Sequence, residues 1–212
     1  MTKKIKSYLV FTSFLYRLVM FLLIPVALTV IGLQFGIPMV AALIPLVEIV
    51  SDYRLFGGIQ TKEAVKLDFL NTSGNGRAIM KTAISLDIFR KLVSVVVILP
   101  ICFLLILLTS AEQSSDVVSF GSDTAVSFLC FAAASCWFFS VLGTYMGRFG
   151  SQFWFSLLMG YLGTILEVFC WFLPNLLRYA LLYATGFMVL GIWVSILAVK
   201  TILKKVEGSY YD

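Results

Sequence analysis

Two carboxylates stand inside apolar runs of this sequence, and any chemistry would begin with them. Glu48 lies in the run Phe35 to Val50, about one helical turn from its polar end, and Glu167 lies in the run Phe153 to Phe172. Hydrocarbon penalises charge, so an ionisable group within such a run marks a functional site by default. Either residue would line a substrate path or bind protons. The competing reading is structural: hydration at the membrane edge, or pairing with Arg17, Arg54 or Arg178. Other chemistry has little to work with. The chain contains no histidine, which removes Ser-His and Cys-His nucleophilic pairs, the HExxH site and most zinc chemistry. Cys102, Cys130, Cys136 and Cys170 all fall in apolar stretches without CxxC spacing and read as small apolar fillers. There is no G-x-x-x-x-G-K-[ST] loop, so the chain itself does not bind ATP through a P-loop. No metal or cofactor is expected on this chain.

The elements that must position these groups are membrane helices. Of 212 residues, 60% are hydrophobic and only 13% charged, with a mean hydropathy of +0.99; soluble domains carry about 25% charged residues. A soluble fold of this size could not hide so much apolar surface. The expected fold is all-α: one polytopic domain over residues 1–212 with six transmembrane helices. The spans fall in the runs Tyr8 to Leu33 (crossing from near Leu18), Phe35 to Val50, Leu92 to Thr109, Ala125 to Tyr145, Phe153 to Phe172 and Leu177 to Val199. Gln34-Phe35-Gly36, Gly147-Arg148-Phe149-Gly150 and Pro174-Asn175 supply turns. Pro38 and Pro45 make a kinked second span the default. The residues before Leu18 form an amphipathic, interfacial start.

Charge placement gives the orientation. With the N-terminus inside, the inner side holds Lys3, Lys4, Lys6, the basic residues of 51–91, Arg148, Lys200, Lys204 and Lys205. The outer side holds Arg178 and an acidic loop at 110–123. The positive-inside rule therefore places both termini in the cytoplasm of a multi-pass cell-membrane protein. Basic residues at the ends of apolar runs argue against a nucleic-acid partner and for membrane lipid. Gly143-Thr-Tyr-Met-Gly147, Gly160 and Gly163 permit close helix approach, within one subunit or between two. Trp137, Trp154, Trp171 and Trp193 suit interfacial belts and packing.

The cytoplasmic segment 51–91 is longer than a connector needs. Gly57-Gly58 permits a sharp turn out of the second span, with Asp52 and Arg54 as an interfacial pair. A helix over 61–72, capped by Thr61, gathers Val65, Phe69 and Leu70 on one side. Ser73-Gly74-Asn75-Gly76 breaks it, and a second helix from near Arg77 enters the third span with Asp87 and Lys91 spaced i,i+4. Such a segment is either a docking element or a solvated loop with an interfacial helix.

The stretch from Phe69 to Lys81 resembles the loop after the second span in bacterial ABC-2-type transporter permeases. Leu70, Ser73, Gly76, Arg77 and Lys81 carry the likeness, and Gly74 stands where the family has proline. The resemblance implies a coupling helix in which Lys62, Val65, Lys66, Phe69, Leu70 and Arg77 dock on a cytoplasmic ATPase subunit. ATP and magnesium would sit on that partner. It also implies a permease homodimer or heterodimer exporting an amphipathic substrate such as a peptide, lipid or drug. Two other functions fit the same topology: an ion-coupled or substrate-binding transporter without ATPase, and a non-transporting immunity or assembly protein.

Overall fold

Each apolar run forms a helix, because in hydrocarbon only intrahelical bonding satisfies the backbone of a single segment. The computed structural model describes residues 14–60, 76–111, 122–146 and 153–208. Among the described residues the chain is helical apart from short turns. The first rod comprises α1 (Phe14–Leu18), a π-helical turn (Val19–Leu23) and α2 (Ile24–Phe35). There follow α3 (Ile37–Gln60), α4 (Gly76–Ala111), α5 (Ser122–Met146), α6 (Phe153–Cys170) and α7 (Leu176–Gly208).

Five helical stretches are long and apolar enough to cross a membrane: Tyr16–Phe35, Ala78–Thr109, Thr124–Met146, Phe153–Cys170 and Arg178–Leu203. Their outward faces are apolar too. On α4, the exposed Val93, Val97, Ile101, Leu104 and Leu108 recur every three or four residues and make one continuous stripe. A stripe of this length in contact with water would be unfavourable, and lipid is the solvent that fits it. The molecule is consistent with a multi-pass membrane protein. The second expected span, Phe35 to Val50, corresponds to α3, which is not among the five.

Two turns expected from sequence are present. Gly36, at φ 83°, separates α2 from α3 in a conformation costly for other residues. Asn175, at φ 52°, sits between α6 and α7. The expected break at Gly57-Gly58 is absent: α3 runs past Pro45 and on through both glycines to Gln60. Two glycines weaken a helix by about 1 kcal/mol each relative to alanine, and here that local cost does not end it. The helix expected from near Arg77 and the third span are one element, α4, as their continuity in sequence implied. The proposed helix at 61–72, the break at 73–75 and the turn at 147–150 lie outside the described residues.

α5 is the inner helix. Half of its span is buried, and none of the other four reaches a third. It packs most extensively on α7 and also meets α3, α4 and α6, while α3 lies against α6, α5, α2 and α4. Trp137 of α5 is buried and donates its indole N–H to Ile88 O of α4 at 3.3 Å, so this tryptophan belongs to the core and not to an interfacial belt.

The glycines of the sequence account for the closeness of α3 to its neighbours. Gly143 of α5 lies where any Cβ would overlap the Ile49 side chain. At Gly160 of α6 a Cβ would stand 3.3 Å from both Cα and O of Leu46. These glycines pack helices within one chain. Gly143→Ala is therefore expected to destabilise the fold by about 1–3 kcal/mol through overpacking. Gly186→Ala, with no atom within 4 Å of its added methyl, should leave stability unchanged or slightly raised. Thermal unfolding midpoints in detergent test the contrast.

Candidate functional site

The buried face of α4 repeats every three or four residues through Ile84, Ile88, Lys91, Val95, Ile98 and Cys102. Asp87 and Lys91 are in phase with this apolar face and are carried into the bundle with it. α3 does the same: Ala41, Ile44, Glu48 and Asp52 share a buried stripe. On α5 the corresponding series is Cys136, Ser140 and Thr144. Where the three stripes meet, five ionisable side chains are buried together.

Their contacts form one network. Arg90 presents two nitrogens to Glu48, with Nη1 to Oε1 at 3.1 Å and Nη2 to Oε2 at 2.5 Å. Its Nε donates to Asp87 Oδ1 at 3.0 Å. Lys91 Nζ donates to Asp52 Oδ2 at 2.6 Å and to Thr144 Oγ1 at 2.5 Å, with Asp87 Oδ2 at 3.6 Å. The Thr144 hydroxyl in turn lies 2.7 Å from Asp52 Oδ2, which accepts its proton. The planar guanidinium fork suits the bidentate carboxylate, and the ammonium spreads its donors over separate acceptors. Three carboxylates thus face two cations among the described residues, and Asp52 Oδ1 has no hydrogen-bond partner among them.

The cluster sits where the hydrocarbon should end. The apolar part of α4, Leu92 to Thr109, covers about 27 Å at 1.5 Å per residue, close to the roughly 30 Å of a bilayer core. Arg90 and Lys91 immediately precede it. Beside the cluster, the first rod, α3 and α6 enclose an apolar groove of about 610 Å³, with Tyr16 and Ser51 among the residues lining it.

Glu167 occupies a different environment. It is fully enclosed and none of the ion pairs among the described residues includes it. Its Oε1 is 2.8 Å from Ser135 Oγ and 3.7 Å from Cys136 Sγ, both on α5. Its Oε2 has no hydrogen-bond partner among the described residues. Trp171, one turn further along, packs edge-to-face on Phe128 and Phe131 at 4.8 and 5.8 Å and closes this side of the bundle.

Of the residues singled out from sequence, Lys62, Val65, Lys66, Phe69 and Leu70 lie outside the described residues. Arg77 falls in the first turn of α4, and its side chain lies outside the description. Glu48 is paired, as the structural reading required, and its partner among the described side chains is Arg90. Asp52 is buried against Lys91 and Thr144, and the side chain of Arg54 lies outside the description. The Asp87–Lys91 spacing does bring the two side chains together. Arg90, Thr144, Ser135 and Cys136 were not foreseen. The in-phase series on α4 and α3 was the available signal for the cluster, since a charge in register with core residues must be buried with them. Cys136 is more than a filler, because its thiol lies against Ala41 O at 3.2 Å as well as the carboxyl.

No family model, curated protein or solved structure matches the chain.

Removing one partner of a buried ion pair leaves an uncompensated charge, at a cost of about 3–5 kcal/mol. Lys91→Met is expected to lose stability on that scale, seen as a lower unfolding midpoint and less monodisperse protein in detergent. Adding Asp52→Asn to Lys91→Met should recover part of the loss, because one stranded carboxylate is then neutral. A double variant no more stable than Lys91→Met alone would show that the pair is not coupled.

Proposed function

We propose that this chain is the permease subunit of an ABC-type exporter. In this reading it crosses the cell membrane six times, keeps both termini in the cytoplasm and is driven by a separate ATPase that binds ATP and magnesium. Two permease subunits, identical or similar, would pair above two ATPases. The observation that carries the reading is the ion cluster at the base of segment 61–75. It clamps α3 to α4 at the end of their apolar runs, and both helices continue beyond it. From Asp52 to Gln60, α3 extends about 12 Å, and from Asp87 back to Gly76, α4 extends about 16 Å. A segment mounted on two clamped helices transmits force as a lever; one on loose loops would absorb it. The pattern Leu70, Ser73, Gly76, Arg77 and Lys81, by its likeness to the ABC-2-type permeases, supports the same reading.

The sixth crossing is assigned to α3. From Ile37 to the cluster at Asp52 it covers about 22 Å of the roughly 30 Å of hydrocarbon. Its buried charges are neutralised by α4, which removes the main objection to placing them at the membrane edge. The groove beside the cluster supports an amphipathic cargo: its size is that of a small-molecule site, and its lining is apolar with polar groups at Tyr16 and Ser51.

Purified in mild detergent from its native membrane, a tagged chain is expected to bring a nucleotide-binding subunit in constant ratio. Phe69→Asp should weaken that association by about 10-fold or more, because it sets a charge against an apolar groove, while membrane insertion persists. A chain that never carries such a subunit, or normal transport by the Phe69→Asp variant, would overturn the reading. Orientation has its own check. Asp116→Cys should react with a membrane-impermeant maleimide on intact cells, and Lys204→Cys only after permeabilisation.

A further inference from the structure

Of the two carboxylates that stand out in the sequence, Glu48 is neutralised by Arg90, whereas Glu167 has no cation against it among the described residues. It lies three residues inside the Cys170 end of the α6 span, and Ser135, which it touches, lies eleven residues inside the Thr124 end of the α5 span. We propose that Glu167 is a proton-binding site inside the helix bundle, loaded when α5 and α6 are packed as they are here.

Hydrogen-bond accounting leads to this assignment. The Ser135 hydroxyl has one hydrogen and several acceptors within reach: Phe131 O at 3.0 Å, Ala132 O at 3.2 Å and Glu167 Oε1 at 2.8 Å. The Cys136 thiol has one hydrogen, shared between Ala41 O at 3.2 Å and the same Oε1 at 3.7 Å. If both hydrogens go to the backbone carbonyls, the short Ser135–Glu167 contact needs a hydrogen from the carboxyl side. A protonated Glu167 supplies it, donating to Ser135 Oγ while Ser135 donates along its own helix. Oε2 is enclosed without a partner among the described residues in either state, at small cost for a neutral carbonyl oxygen and at the greatest cost for an unpaired charge.

The surroundings select a proton over a metal ion. A cation needs several oxygen acceptors, but the side chains in contact with this carboxyl are a hydroxyl and a thiol. No cluster of three or more metal-ligating side chains occurs among the described residues. The titratable groups nearby are the thiols of Cys136 on α5 and Cys170 on α6. α3 presents Ala41 and Pro45 towards these helices, and its nearest charge, Glu48, is held by Arg90. α7 contributes Phe187, stacked on Phe131. The proton leaves when α6 parts from α5 or the Trp171 aromatic cover opens, so protonation and helix packing are linked.

The test is infrared spectroscopy of the full chain in lipid vesicles at neutral pH. A carbonyl band of a protonated carboxylic acid is expected, shifted in deuterium oxide and missing from Glu167→Gln. If Glu167→Gln and the unsubstituted chain give the same carboxylic acid region, the proposal is overturned. Loss of the band on adding sodium would overturn it in favour of a metal-ion site. If Glu167→Gln does not fold, the unsubstituted chain decides through dicyclohexylcarbodiimide, an apolar reagent that adds to protonated carboxyls. An adduct on the peptide containing Glu167 supports the site. Adducts elsewhere with none on Glu167 overturn it. No ATPase enters these measurements, so their outcome is separate from that of the transport reading.

Discussion

An ammonium group enclosed by protein must find its countercharge and its acceptors within the protein, because neither water nor lipid supplies them. Lys91 meets that requirement with Asp52, Asp87 and Thr144, drawn from three helices. Arg90, the next residue, binds Glu48 and the same Asp87. Asp87 therefore joins the two cations, and α3, α4 and α5 are held in one relative position. Sliding α3 against α4 by a turn would strand at least one charge, and sliding α5 would take the Thr144 hydroxyl away from Lys91 and Asp52. The apolar faces drive the helices together without fixing their register, since one aliphatic contact substitutes readily for another. The ion cluster supplies the register.

Close packing reinforces it from the other side of α3. Gly143, Gly160 and Gly163 let α5 and α6 approach the Pro45-to-Ile49 stretch of α3 more closely than side chains would allow. In a bilayer the association of helices owes little to the hydrophobic effect, because lipid chains are as apolar as leucine, and dense packing with internal polar contacts takes its place. α3 combines both devices: glycine contacts along one side and the ion cluster at its far end.

The two polar sites are built on different logic. At the membrane edge, charges are kept and matched against one another. At Glu167 the described neighbours are neutral, with an aromatic cover, so neutrality has to come from the group itself. The first arrangement gives rigidity at the base of segment 61–75. The second places a group whose state responds to the packing of α5 on α6.

The sequence by itself determined that the chain is helical and membrane-like, because apolar runs of span length admit little else. It also determined local turns such as Gly36 and Pro174-Asn175, and the Asp87–Lys91 pairing, since one helical turn fixes which neighbours meet. The helical period even put Glu48, Asp52, Asp87 and Lys91 on core faces. Which faces meet was not legible. Arg90 and Glu48 are 42 residues apart, Lys91 and Asp52 are 39, and Thr144 and Asp52 are 92. Interval rules do not reach that far, and nearer candidates such as Arg54 looked equally good on paper. Nor did Gly57-Gly58 end α3, although local propensity favoured a break there. The tertiary structure decided these matters because a buried charge is matched by whatever packing brings against it, and packing is settled by the shapes of whole helices.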